Sequence, residues 1–201
     1  MHNYYAQNRV KLKKLMRKYL NFSQNDLEKE LKKPFSELFE EMWTVYEKDI
    51  LENFPYIGGD KVGGTKNLVG GYMFVAMGEV CLKHGMTLEK WGLIATDCYR
   101  SFFENYPLFM RKLLGKIYTN PKIMAKMLVK KDLENENNLK ENPEGFKTKV
   151  QPATDEFPII FHNLACPLTV FAEKYGYTKY IPYLCNFDYV MFEAFFINFV
   201  R

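Results

Sequence analysis

The stretch LVGGYMFVAMGEVCL, from Leu68 to Leu82, constrains the fold of this chain more than any other. It carries apolar side chains on every helical face, so a helix formed here must run through the middle of a domain. The pattern predicts that helix over Thr65 to Lys83, with Gly85 closing it as a C-terminal cap. A membrane span needs roughly 18 apolar residues without charge; this stretch is shorter and carries Glu79. Gly70, Gly71 and Gly78 weaken the helix locally but let a neighbouring element approach closely.

A central apolar helix needs amphipathic partners, and the flanking sequence supplies them. Val10, Leu12, Leu15, Met16, Tyr19 and Leu20 form a helical stripe in a basic segment. Ser23 reads as the N-cap of a short acidic helix, and Pro34 suits the first turn of the next. There Phe35, Leu38, Phe39, Met42 and Tyr46 recur at helical spacing. Thr87 starts a helix after Gly85, and Pro107 and Pro121 punctuate two more. The last of these is expected to run into a charged, Asn-rich loop around Asn135 to Asn142.

After Gly145 the pattern changes. FKTKVQPA alternates, and EFPIIFHN is a short apolar run rich in β-formers, so two antiparallel strands are expected. Two helices follow, PLTVFAEKYG and YIPYLCNFDYVMFEAF, and FINFV reads as the beginning of a third strand. The class is therefore α+β, predominantly helical with a small antiparallel sheet in the C-terminal third. Residues 1–34 read as an N-terminal helical extension and 35–201 as the main domain.

Of the 201 residues, 47% are hydrophobic and 16% aromatic, which calls for a large aromatic core or an aromatic-walled pocket. The net charge of +4 concentrates in RVKLKKLMRKYL and MRKLLGKIYTNPKIMAKMLVKK. Both segments alternate basic with apolar residues at helical spacing and read as solvated helix faces. Neither nucleic acid nor a membrane is therefore expected as a partner. The start MHNYYAQNRVKLKK lacks the apolar core of a signal peptide, and the four cysteines are irregularly spaced. The expectation is a cytoplasmic protein with reduced thiols.

Chemistry-bearing residues gather near the C-terminus. On a helix begun near Pro182, Cys185, Asp188, Tyr189 and Phe192 share one face. Cys166 opens the preceding helix, immediately before Pro167. Free N–H groups at a helix start lower a thiol's pKa, so both cysteines are candidates for reactivity; burial as inert apolar residues is the competing reading. No CxxC occurs and His2, His84 and His162 are scattered, so no spacing selects a metal, and the cofactor stays open. Glu79 calls for a structural pair with an Arg or Lys of a neighbouring helix, Arg100 being one candidate, or for a pocket where it acts as an acid or base. GGDKVGGTKNLVGG lacks the GxxxxGK[ST] order of a nucleotide loop, but Thr65 and Asn67 at the following helix start suit a small anion.

The run FPYIGGDKVGGTKNLVGGYMFVAMGEVCLKHGMTLEKWGLI, the segment YRSFFENYPLFMRKLLGK and the closing EKYGYTKYIPYLCNFDYVMFEA resemble the L-2-amino-thiazoline-4-carboxylic acid hydrolase family of bacterial proteins. The likeness runs from about Phe35 to Arg201. It implies a hydrolase that adds water to an amidine-like carbon and opens a 2-amino-thiazoline-4-carboxylate-like ring, in cysteine-related metabolism. It places Cys166, Cys185, Asp188 and Asn67 at family-like positions. Such chemistry asks for a base, met by Asp188 or Glu79, and for contacts to the substrate carboxylate, met by Asn67, Thr65 and Arg100. Family members continue beyond the position of Arg201 with a Thr-rich strand, a glycine turn and a Cys-Asp-Phe ending. The resemblance thus implies a fold short of its last strands, with an open C-terminal strand edge suited to a second copy of the chain. The competing class is a non-catalytic small-molecule-binding or sensor domain with an aromatic-rich pocket.

Overall fold

A computed structural model describes residues 1–152, 154–157 and 159–200. Its order is α1 (Asn3–Leu20), α2 (Gln24–Leu31), α3 (Phe35–Val45), α4 (Gly63–Lys83), α5 (Leu88–Glu104), α6 (Leu108–Tyr118), α7 (Pro121–Glu141), β1 (Lys147–Gln151), β2 (Ile160–Ala165), α8 (Pro167–Tyr175) and α9 (Ile181–Ala194). A π-helical turn, Tyr46–Leu51, continues α3. The class is α+β, mostly helical, with a two-stranded antiparallel sheet in the C-terminal third.

The apolar stretch behaves as its composition demands. Helix α4 buries side chains on every face, Leu68, Tyr72, Phe74, Val75, Met77 and Cys81 among them. It packs against α1, α3, α5 and α8. Gly78 is where two neighbours come closest: a Cβ there would lie 2.5 Å from the Tyr180 ring and 3.0 Å from Trp91. Helix α4 ends as expected, with Gly85 at φ +85 and the Met86 N–H closing on the Cys81 carbonyl at 3.0 Å. Thr87 then caps α5 by accepting from the Lys90 N–H at 3.2 Å. Tyr5, Met16, Leu20 and Leu27 of residues 1–34 sit in the same continuous core as α4.

Three local expectations are corrected. Ser23 precedes α2 but caps nothing; its hydroxyl donates back to the Leu20 carbonyl at 2.7 Å. The chain stays in a 3-10 turn between α1 and α2, so Ser23 lacks the extended backbone that a capping side chain needs. The Asn-rich segment is the second half of α7 rather than a loop. Asparagine is a poor helix former in isolation, but tertiary hydrogen bonds hold it here. Asn135 donates to Thr148 Oγ1 at 2.9 Å and Asn138 to the Ile57 carbonyl at 3.0 Å. Asp132 anchors the same face to β1 through the Thr148 hydroxyl and the Val150 N–H, at 2.6 and 2.7 Å.

The third correction concerns the tail. No strand forms over 196–200. Phe196 takes φ +61 and its N–H closes on the Glu193 carbonyl at 2.9 Å, which turns the chain back. Phe199 then packs on Phe192, ring centroids 4.5 Å apart, and on Tyr189 at 5.1 Å. The expected C-terminal strand edge for a second copy is therefore not formed. The two strands that do form pair Val150 with Phe161 and Gln151 with Ile160. The predicted strands also took in Ala153 and Pro158, which lie outside the described residues, as does Arg201.

Candidate functional site

Cys166 occupies the N-cap of α8 with Pro167 in the first turn, as its place before proline suggests. Cys185 and Asp188, on one face of α9, are brought to it where α8 and α9 pack together. Both lie close enough for their charges to act on the Cys166 thiol. All three are half-buried. Of the sequence-predicted site residues, these are the three that the fold assembles.

The environment of Cys166 reverses the expected direction of its pKa. Burial pushes the thiol up, while the N–H groups of Thr169 and Leu168 face the sulfur and pull it down without closing a capping hydrogen bond. The charges of Cys185 and Asp188 add to the upward push, and burial wins. Cys166 is thus a protonated thiol at neutral pH rather than an activated thiolate. The other two cysteines are core: burial pushes Cys81 and Cys98 up to about 12.

Aromatic rings wall the cluster. Tyr99 of α5 stacks on Phe187, centroids 4.2 Å apart and planes 12° off parallel. Burial and then the Asp188 charge raise the pKa of its hydroxyl. Tyr72 of α4 donates to the Leu168 carbonyl at 2.7 Å, which pins the start of α8 to the central helix. Its pKa is raised by burial, by Tyr177 and by Cys166.

The remaining candidates lie elsewhere. Glu79 accepts from the Tyr180 hydroxyl at 2.6 Å and pairs with Lys179 at 3.1 Å. Its position is seven residues beyond Tyr72 on α4, about 10 Å along the axis. Arg100 is not its partner: the guanidinium pairs with Glu193 at 2.7 Å on the surface. Thr65 is buried in the first turn of α4, and its hydroxyl has no hydrogen-bond partner among the described residues. Asn67, two positions on, is exposed. Residues two apart on a helix do not share a face, so the two do not converge on one anion. His162 sits exposed mid-strand opposite Lys149, away from Cys166's helix start.

Tyr72, Tyr99, Phe187, Lys179 and Tyr180 escaped the sequence reading. Their roles rest on contacts across α4, α5 and α9, and no local spacing announces them. Among the described residues, no three of His, Cys, Asp or Glu are placed to hold a metal ion together. No helix among them is long and apolar enough to cross a membrane. Two open surface grooves, one of about 390 Å³ on the α1 face beside Trp43 and one of about 570 Å³ along α7, lie away from the thiol cluster.

A scan against protein families, a search of curated proteins and a search of solved structures each find no match. The fold and the site therefore define the chain by themselves: a mostly helical α+β protein carrying a half-buried cluster of two thiols and a carboxylate against an aromatic wall.

Proposed function

We propose that this protein is a hydrolase that opens a 2-amino-thiazoline-4-carboxylate-like ring, with the Cys166, Cys185 and Asp188 cluster as its site. The observation that supports this reading is the convergence of a carboxylate and two thiols from separate helices beside the Tyr99 and Phe187 rings. In the reaction, water adds to the amidine-like carbon and the bond from that carbon to the ring sulfur or nitrogen breaks. Asp188 takes a proton from the water. Cys166, protonated because of its burial, donates one to the departing atom, and Cys185 lines the same face. Asn67, exposed at the start of α4, is left as the contact for the substrate carboxylate, since Arg100 is held by Glu193 and Thr65 is turned into the core. Glu79, engaged by Tyr180 and Lys179, has a structural part rather than that of the base. The reading carries a cytoplasmic location with it, which the four reduced cysteines support.

The second reading is a non-catalytic small-molecule-binding or sensor domain. It is favoured by the aromatic rings gathered beside the cluster, Tyr72, Tyr99 and Phe187 among them, between which a small planar ligand would have to insert. Ring opening of L-2-amino-thiazoline-4-carboxylate followed by mass spectrometry separates the two. The hydrolase reading expects turnover from the wild-type chain and a loss of roughly 100-fold or more in Asp188→Asn, with thermal stability little changed. Calorimetric binding without turnover supports the sensor reading. Turnover untouched by Asp188→Asn contradicts the site assignment.

A further inference from the structure

The two basic segments of the chain are treated differently by the fold. Four of the six cations of α1 are answered within the molecule: Arg9 pairs with Glu47, Lys11 with Asp60 at 3.5 Å, Lys13 with Glu40 at 2.5 Å, and Arg17 with Glu40 at 4.0 Å. The α6–α7 hairpin is not neutralised in this way. Between Leu108 and Lys131 there is neither Asp nor Glu. Lys112, Lys116, Lys122, Lys126, Lys130 and Lys131 are all exposed, and among the described residues only Lys130 has an ion-pair partner, Glu134 at 3.7 Å.

The same hairpin exposes large apolar side chains among those lysines. Phe109 is 70% exposed, and Leu108, Leu113, Val129 and Leu133 are each more than half exposed. Helix α6 turns Gly115, Arg111 and Tyr118 toward the body, against the Ala194 and Phe195 end of α9. Helix α7 buries Met124, Leu128 and Asn135. What stays outside is the opposite side of each helix, where the spacing sets Phe109 and Leu113 beside Lys112 and Lys116, and Val129 and Leu133 beside Lys126 and Lys130. The open groove along α7 is lined by Lys126, Val129, Lys130 and Leu133, with Ala125 beside them and Glu134 and Asn137 closing its C-terminal end.

We infer that the α6–α7 hairpin is a docking face for an anionic lipid surface, on which the lysines meet headgroup phosphates and carboxylates while Phe109, Leu113 and their neighbours enter the acyl boundary. The charge pattern selects this occupant. A second copy of the chain laid symmetrically on the face would set lysine against lysine, so it is disfavoured. A nucleic acid answers the charge but leaves the exposed leucines and Phe109 in water. An anionic bilayer answers both. The contact is a surface one and needs no spanning helix.

The test is co-sedimentation of the whole protein with vesicles of phosphatidylcholine alone and of phosphatidylcholine mixed with phosphatidylserine. Binding is expected to the mixed vesicles only, and to weaken as salt is raised. The triple variant Lys122→Gln, Lys126→Gln, Lys130→Gln should bind roughly 100-fold more weakly, about fivefold for each lysine. Phe109→Ser with Leu113→Ser should lose roughly tenfold or more without a change of charge. All five positions are solvent-facing, so the thermal midpoint should hold in both variants. No sedimentation with the mixed vesicles overturns the proposal. So does binding that survives both sets of substitutions, retention on DNA without vesicle binding, or a dimer that the serine variant dissolves while vesicles go unbound.

Discussion

Glu79 is the residue whose role the structure changes most, and a double-mutant cycle with Tyr180 measures the change. Tyr180 is fully buried and donates to Glu79 Oε1 at 2.6 Å; Lys179 reaches the same oxygen at 3.1 Å. Burial and this hydrogen bond both raise the pKa of the Tyr180 hydroxyl, so it remains a donor at any ordinary pH. A hydrogen bond to a charged group contributes about 1.5–3 kcal/mol. The Glu79 side chain is 34% exposed, so water recovers part of the loss when the donor is removed. Tyr180→Phe should therefore cost about 1–2 kcal/mol in urea unfolding. Glu79→Gln leaves the shape, removes the charge and frees Lys179, at a similar cost. If the two act on one contact, the double variant should lose less than the sum, with a coupling of about 1 kcal/mol. Neither change should abolish ring opening, because the Cys166 and Asp188 cluster lies at the α8–α9 contact, which α4 meets at Tyr72 rather than at Glu79. A coupling below about 0.3 kcal/mol, or a Glu79→Gln protein of full stability and no turnover, refutes the structural assignment.

Other consequences can be checked in the same unfolding assay. Gly78→Ala places a methyl 2.5 Å from the Tyr180 ring, with Trp91 behind it, and should destabilise by about 1–3 kcal/mol through overpacking. Thr65→Val should be neutral or stabilising by up to about 1 kcal/mol, because it removes a buried hydroxyl that has no partner; clear destabilisation would mean that this hydroxyl is satisfied in solution. Glu41 is held at about 2: burial pushes its carboxyl up, but the bonds from His84, Lys83 and Lys33 outweigh it. Its folded pKa lies below the unfolded one, so its contribution is present at neutral pH and disappears as the pH falls from about 5 toward 2. After screening of the exposed lysines, about 1 kcal/mol is at stake. Glu41→Gln should lose that much at pH 7 and show a flatter stability curve below pH 5.

The sequence is most legible where one local feature decides the outcome. The all-round apolarity of Leu68–Leu82 made α4 central, and Thr87, Gly85, Pro107 and Pro121 mark helix ends by their own backbone and capping chemistry. It is least legible where a distant group overrides local preference. Asn135 and Asn138 look like loop formers until Thr148 and the Ile57 carbonyl are placed against them. Phe196 looks like strand until its turn folds Phe199 back onto Phe192. The site divides in the same way. Cys185 and Asp188 share a helical face that spacing reveals, and Cys166 is marked by Pro167. The partner of Glu79 lies 101 residues away, and no pattern of spacing connects the two. The direction of the Cys166 pKa was also hidden, since helix position argued for lowering and only the packed environment shows that burial wins.

Whether Cys166 and Asp188 form one site is tested most directly by the pH dependence of Cys166 alkylation in a Cys185→Ser background, with the labelled peptide read by mass spectrometry. The account predicts an inflection above the ordinary thiol value, because burial and the Asp188 charge both oppose the thiolate. It also predicts that Asp188→Asn moves the inflection down. An inflection at or below the ordinary value, or one that Asp188→Asn leaves in place, would contradict it.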